Sequence, residues 1–359
     1  MNKIKVCQFV CGLEGGGAEQ VIYNYCSKMD REEYEFYLVY QHKACKKNLK
    51  EFESLNFKLF NIPSKVSHPF KNFYYTNKII KENKFDVIHT HMNIMNFIPL
   101  ICGWLNGTKI RISHSHTCDI RKKNVLIKAF EYACKKLSIL FATDLVACGE
   151  AAGKYMYGRR KFVIIHNAIN TKKFEFNLKI RNQTRKRIGV NKNTKLLGNV
   201  GRFTEAKNHL FLLDIFEELY KVDDSYKLLL VGDGELKNDI LKKINDLKIK
   251  DGVILVGNVD DTSSYYQAMD LFLMPSKWEG LPLAGIEAQA SGLKSFFSDK
   301  VSDEVIISKN AYKKPIENKE IWVQAIINSD YRYERKNNII NLQFDIEKEV
   351  KKLLEIYKK

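Results

Sequence analysis

The 359-residue sequence contains no apolar run approaching the ~20 residues that a membrane-spanning helix needs; the longest candidate, residues 94–105, is interrupted by Asn96, Pro99 and Gly103. A spanning segment is therefore not expected. The opening MNKIKVCQFVCG has too short an apolar stretch for a secretory leader, so it reads as a first strand and the chain is expected in the cytoplasm. No two of the eight cysteines have the Cys-x-x-Cys spacing of a zinc or redox site, and all eight fall in the first half, as reduced core or surface thiols would. Low-complexity segments and short-period repeats are missing, which sets solenoids and propellers aside. So are the helix-turn-helix, zinc-finger, RRM and KH patterns that would make nucleic acid the partner of a basic chain.

Core-forming residues and positive charge are what the sequence has in abundance. Hydrophobic residues make up 45% and aromatics 12%, which excludes a disordered chain. The length exceeds the ~250–300 residues at which single cores stop growing, so two domains are expected. The net charge is +17, of which residues 1–165 carry +12 and residues 166–359 carry +5. Three stretches of the first half mix cations with aromatics: HPFKNFYYTNKIIKENK from His68, RKKNVLIKAFEYACKK from Arg121 and KYMYGRRK from Lys154. An anionic bilayer attracts such patches at about 1 kcal/mol per cation near its surface, so a membrane surface is the expected partner rather than nucleic acid.

Short β-branched and aromatic runs alternate with helical patterns from end to end, the signature of an α/β protein with parallel sheets covered by helices. Strands are predicted at residues 3–10, 36–40, 57–61, 87–90, 109–113, 145–147 and 162–165. Val21, Tyr25, Cys26 and Met29 line one helix face, and Phe73, Ile79 and Ile80 another. From about residue 166 the pattern lapses, and residues 167–194, polar, basic and aperiodic, read as an interdomain linker. The alternation then resumes, with strands at 196–200, 227–231, 253–256, 271–274 and 294–298 and helices at 208–220, 235–247 and 283–290. Domains of 1–166 and 195–340 follow. Residues 341–359 end in an amphipathic helix on Ile346, Val350, Leu353, Leu354 and Tyr357, for which a return to the first domain is left open.

Glycine-rich loops follow the first strand of each half. Gly12-Leu13-Glu14-Gly15-Gly16-Gly17 precedes a helix, where bare backbone lets a phosphate approach the free N–H groups. It lacks the G-x-G-x-x-G order, and the strand at 36–40 ends without an acidic residue, which disfavours a nicotinamide-dependent oxidoreductase. In the second half, Gly201-Arg202-Phe203-Thr204-Glu205-Ala206-Lys207 sets two cations on one strand-to-helix loop. A helix N-terminus repels positive charge, so an anion such as a diphosphate is expected between Arg202 and Lys207. The turn at Gly232 adds a loop to the same rim. In Pro275-Ser276-Lys277-Trp278-Glu279-Gly280-Leu281-Pro282, Glu279 lies in a loop, and Glu287 follows within a helix, so the two carboxylates can accept hydrogen bonds from different parts of one ligand.

These residues together resemble the retaining nucleotide-sugar glycosyltransferases of the GT-B fold, family four, close to bacterial enzymes of capsular and exopolysaccharide assembly. The resemblance spans essentially the whole chain and is most specific in its second half. It implies two Rossmann-like domains with parallel sheets facing a central cleft, a nucleotide-sugar donor of the UDP-hexose kind, and a lipid-linked glycan acceptor at the inner leaflet. It further implies that Arg202 and Lys207 bind the donor pyrophosphate, that Glu287 binds the ribose, and that Glu279, beside Gly280 and Leu281, meets the donor sugar. Gly16 and Gly17 would face the donor phosphates. His116, in Ser113-His114-Ser115-His116, matches the family histidine near the sugar, with His114 the second choice; His166 and Asn167 are candidate cleft residues. Lys294 stands where relatives often carry proline.

No Asp-x-Asp triplet occurs. The expectation is transfer without a metal or other cofactor, in which Arg202 and Lys207 neutralise the departing diphosphate. Two rival classes share the pattern. A nucleotide-sugar epimerase would release an altered sugar without an acceptor, and a non-catalytic polyanion binder would release no nucleotide.

Overall fold

The computed structural model describes residues 3–14, 16–42, 44–116, 124–331, 335 and 344–359. Gly15 of the first glycine loop, Arg121 to Lys123 of the second basic stretch and residues 341–343 lie outside them. The chain divides into unit 1, Met1–Ala168 with Asp345–Lys359, and unit 2, Ile169–Phe344.

Unit 1 holds a parallel sheet of β1 (Ile4–Phe9), β2 (Tyr34–Tyr40), β3 (Lys58–Asn61), β4 (Val87–Thr90), β5 (Ile110–Ser115), β6 (Asp144–Ala147) and β7 (Val163–Ile164), in the order β3-β2-β1-β4-β5-β6-β7. Its core packs Cys7 and Phe9 of β1 with Tyr37 and Val39 of β2, Ile79, Ile80 and Ile88. The helix Pro69–Asn83 buries Asn72, Thr76, Ile79 and Ile80. Phe73, assigned to that face from the sequence, is 40% exposed instead, because the 72, 76, 79, 80 spacing turns position 73 outward. The terminal helix Ile346–Tyr357 packs in unit 1 and buries Glu349 and Ile356 besides the expected Ile346, Val350, Leu353 and Tyr357.

Unit 2 has β8 (Lys195–Val200), β9 (Tyr226–Val231), β10 (Val253–Gly257), β11 (Leu271–Met274), β12 (Lys294–Ser298) and β13 (Ala311–Lys314), in the order β10-β9-β8-β11-β12-β13. Runs such as Leu228 to Val231 and Leu271 to Met274 are apolar throughout, as strands covered on both faces must be. The helix His209–Val222 fully buries Leu212, Leu213, Ile215, Phe216 and Leu219, each contributing about 1.5–3 kcal/mol. Strand β13, absent from the sequence reading, is a lysine-bearing edge without apolar alternation.

Residues 167–194, read as a linker, are folded. They carry the helix Leu178–Arg187, whose Arg181 and Arg185 pair with Asp270 at 2.5 and 3.1 Å and donate to the carbonyls of residues 267–269. A helix held by inward-facing guanidinium groups has no apolar stripe, which is why periodicity missed it. Among the described residues no helix is long and apolar enough to cross a membrane.

Candidate functional site

Both sheets reverse their strand order at one strand. In unit 1, β1 lies between β2 and β4; in unit 2, β8 lies between β9 and β11. Open parallel sheets bind ligands at the carboxyl ends of strands flanking such a reversal; Gly16 follows β1 there, Arg202 and Lys207 follow β8 and Glu279 follows β11, whereas His114 and His116 come from the end of β5, one strand further on.

In unit 2 the loops after β8, β9 and β11 are stitched together. Lys277 N–H donates to the Ala206 carbonyl at 2.8 Å, Lys277 Nζ meets Glu205 at 3.0 Å, and Asn208 Nδ2 donates to the Pro275 carbonyl at 3.1 Å. Gly232 sits at φ +144°, and a Cβ there would lie 2.1 Å from the Gly201 carbonyl oxygen. Only glycine permits the two loops to touch so closely. Lys207 ends the short turn Glu205–Lys207 and lies alongside Gly201, and its ammonium forms a 2.5 Å ion pair with Glu279. Arg202 on the same loop is exposed, whereas Gly280 and Leu281 beside Glu279 are buried.

Glu287 projects from the helix Leu283–Ala290 and accepts a 2.8 Å hydrogen bond from the Tyr266 hydroxyl. Part of its surface stays open, yet lost solvation dominates and raises its carboxyl to about 7, with the Tyr266 hydrogen bond opposing. The structure thus brings Lys207 onto Glu279, with Glu287 on the helix that this loop opens. Tyr266 was not recognised from the sequence; nothing local marks it.

In unit 1, Gly16 caps the helix Gly17–Cys26, and its N–H donates to the Glu19 carboxylate at 2.7 Å. Asn48 Nδ2 holds the same carboxylate at 3.1 Å. The Gly16 amide, expected to await a phosphate, is satisfied from within the chain.

At the carboxyl ends of β4 and β5 four histidines meet. His89 lies on β4 with His91 just past its end, and His114 lies on β5 with His116 just past its end. Successive strand residues point to opposite faces, so each His-x-His pair shares one face. His89 Nε2 lies 3.0 Å from His114 Nδ1, and His91 Nδ1 lies 2.7 Å from His116 Nε2. Gln8 Oε1 reaches His91 Nε2 at 2.8 Å, the Tyr357 hydroxyl reaches His89 Nδ1 at 2.8 Å, and Asn167 Oδ1 is 3.3 Å from His116 Nδ1. Burial drives all four imidazoles toward the neutral form, His116 down to about 4. His89, His91 and His114 bring one nitrogen each within 4.8 Å of one another, a spacing that a metal ion can bridge. Both nitrogens of His89 and of His91 are instead engaged by protein groups, so the cluster is a hydrogen-bonded network.

His166 follows β7: its backbone N–H donates to Glu349 at 2.9 Å, and its carbonyl accepts from the Tyr25 hydroxyl at 2.6 Å. His89 and His91 were missed from the sequence, although their His-x-His repeats the tripeptide at 114–116 one strand over. Gln8 and Tyr357 gave no such signal.

Comparison with known proteins accounts for both halves. Residues 15–173 match the family described as Glycosyltransferase Family 4, and residues 180–327 match Glycosyl transferases group 1. The chain is 28% identical to the putative glycosyltransferase EpsF of Bacillus subtilis (strain 168), over 98% of this chain and 96% of that one. It is 27% identical to the UDP-Gal:alpha-D-GlcNAc-diphosphoundecaprenol alpha-1,3-galactosyltransferase of Escherichia coli, over 78% and 77%. Anabaena Alr3699/HepE, solved with UDP and glucose, has the same fold, with a TM-score of 0.82 at 16% identity over 99% of this chain and 100% of that one.

Proposed function

The chain belongs to the GT-B glycosyltransferases, with a family 4 domain followed by a group 1 domain, and from that premise we propose that it moves a hexose from a UDP-sugar to a lipid-linked saccharide in bacterial capsule or exopolysaccharide assembly, with retention at the anomeric carbon. The observation that carries this reading is the Lys207–Glu279 ion pair on the rim after β8 and β11. A cation held by a carboxylate at that edge can exchange its partner for a diphosphate. Lys207 and Arg202 then neutralise the charge that develops as UDP departs, in place of a metal. The freed Glu279 accepts hydrogen bonds from the sugar hydroxyls, and Glu287 accepts them from the ribose. In unit 1, His116 and Asn167 offer nitrogen and oxygen acceptors to a sugar or acceptor hydroxyl.

Membrane association belongs to the same reading. The helix Val125–Phe141 buries only Cys134 and Ser138, while Val125, Leu126, Phe130, Tyr132 and Leu140 are 79, 81, 56, 63 and 72% exposed. Lys128, Lys135 and Lys136 lie among them. Trp104, 54% exposed, packs edge-on to Phe141 at 5.2 Å and extends the patch. An exposed apolar stripe rimmed by cations suits the interface of an anionic bilayer, near which lipid-linked acceptors lie.

Incubation with a panel of UDP-hexoses and polyprenyl-diphosphate-linked acceptors should release UDP only when an acceptor is present. An altered free sugar formed without acceptor would replace transfer by epimerisation. Turnover should survive EDTA; its loss, with recovery on adding magnesium or manganese, would refute metal-independent transfer. Sedimentation with phosphatidylglycerol vesicles should weaken in high salt and in Leu126→Glu, and equal sedimentation in all three conditions would remove the membrane from the reading.

A further inference from the structure

We infer that Tyr357 of the terminal helix, acting through Gln8 and His91, holds His116 in the tautomer protonated on Nε2, leaving Nδ1 bare. The assignment follows from which atoms can donate. Gln8 Nε2 is a donor only and lies 2.9 Å from the Tyr357 hydroxyl oxygen, which therefore accepts from it. With its own proton turned to His89 Nδ1 at 2.8 Å, the hydroxyl makes that nitrogen the acceptor. With its amino group turned to Tyr357, Gln8 presents Oε1 to His91 Nε2 at 2.8 Å. A carbonyl oxygen accepts only, so His91 carries its proton on Nε2 and its Nδ1 is bare. That bare nitrogen must receive the 2.7 Å hydrogen bond from His116, which fixes the His116 proton on Nε2.

The second arm closes consistently. His89, accepting on Nδ1, donates from Nε2 to His114 Nδ1 at 3.0 Å, and the His114 proton falls on Nε2. That atom has no hydrogen-bond partner among the described residues, and a void of about 10 Å³ lined by Gln8, His89, His91 and His114 adjoins the cluster. Such a void has room for about one water. Burial keeps all four rings neutral, so no imidazolium disturbs the count.

One consequence reaches the chemistry. In this tautomer the bare His116 Nδ1 and Asn167 Oδ1, 3.3 Å apart, are both acceptors, and the proton that joins them must come from an entering hydroxyl or from the Asn167 amide turned end for end. A hydroxyl entering there would donate to Nδ1. That step rests on the reading of His116 proposed above; the tautomer assignment does not. Tyr357, Gln8 and His91 are positioning residues, since each acts through the next.

Long-range proton–nitrogen correlation spectra of the full chain, labelled with ¹⁵N-histidine at pH 7, test the assignment. The His116 signals are identified by their loss in His116→Gln. Wild type should show His116 protonated on Nε2 alone, and a pattern protonated on Nδ1 overturns the proposal without any positioning variant having to fold. Tyr357→Phe frees the Gln8 amide to turn and should give a mixture of tautomers, costing about twofold in kcat if half the molecules are correctly protonated. A single unchanged pattern in Tyr357→Phe overturns its role as the anchor. His91→Phe should move the proton to Nδ1, facing Asn167, and lower kcat on the order of 10²-fold with little change in the donor KM. Full turnover in His116→Gln would end the catalytic reading of His116, while the spectra still decide the tautomer.

Discussion

Unit 1 gathers four imidazoles and two side-chain amides beside the reversal of its sheet, all buried and all neutral, whereas unit 2 places a lysine, an arginine and two carboxylates at the equivalent edge, most of them partly open. The two sheets share a strand plan around that point. What differs is the solvation that each set of groups can forgo. Neutral polar groups can leave water if their hydrogen bonds close on one another, as the chain from Tyr357 to His116 does. Charges cannot be buried without a counter-ion, and Glu279 serves Lys207 in that role. On the function proposed above, unit 1 orients a hydroxyl and unit 2 exchanges one anion for another.

Substitutions confined to one unit can break this contrast. The largest effect is expected from Lys207→Met, which should cut turnover at saturating donor by roughly 10²–10³-fold, as loss of a group facing developing charge does. Undiminished UDP release would remove unit 2 from charge neutralisation. Next comes Gly232→Ala, which forces a φ of +144° on a residue with a side chain and drives its Cβ to within 2.1 Å of the Gly201 oxygen. The backbone strain alone costs about 1–3 kcal/mol. Hydrogen exchange should then speed up in peptides of unit 2 and stay unchanged in unit 1.

The two units should also answer pH differently. If Glu287, raised to about 7, holds the ribose as proposed, its carboxylate accepts more strongly than its acid form, so donor affinity should climb by up to roughly tenfold between pH 6 and 8 and flatten in Glu287→Gln. Stability runs the other way. The folded state holds a proton on Glu287 that the unfolded chain releases near 4.5, so this contribution is lost as pH rises from there through about 7. His116, lowered to about 4, should add no inflection to a titration between pH 6 and 8. The smallest effect is expected from Gly16→Ala. The added Cβ meets Glu19 Oε1 at 3.3 Å from an ordinary φ of −81°, so stability should change by under about 1 kcal/mol. Loss of donor affinity in that variant would put a ligand against the glycine loop after all.

Most strands of both sheets were legible because apolar runs between turn residues mark buried parallel strands whatever lies beside them. That the Arg202 to Lys207 loop and the Glu279 loop share a rim was legible for a related reason: the fold puts loops after parallel strands on one edge of the sheet. Less visible were elements held by polar contacts. The helix Leu178–Arg187 is anchored on Asp270 by two arginines, and β13 is a lysine-bearing edge. Neither carries an apolar signature.

Local sequence determined which residues form strands, and hence that His114 and His116 share a face, because side-chain parity along a strand is a property of adjacent residues. Tertiary structure alone decided what those groups touch. Gln8 and Tyr357 are 349 residues apart in the chain yet share a hydrogen bond, and Glu19 occupies the amide that the glycine loop was expected to offer a phosphate. A hydrogen bond depends on a partner within about 3 Å and on which atom brings the proton, and neither is written in spacing along the chain.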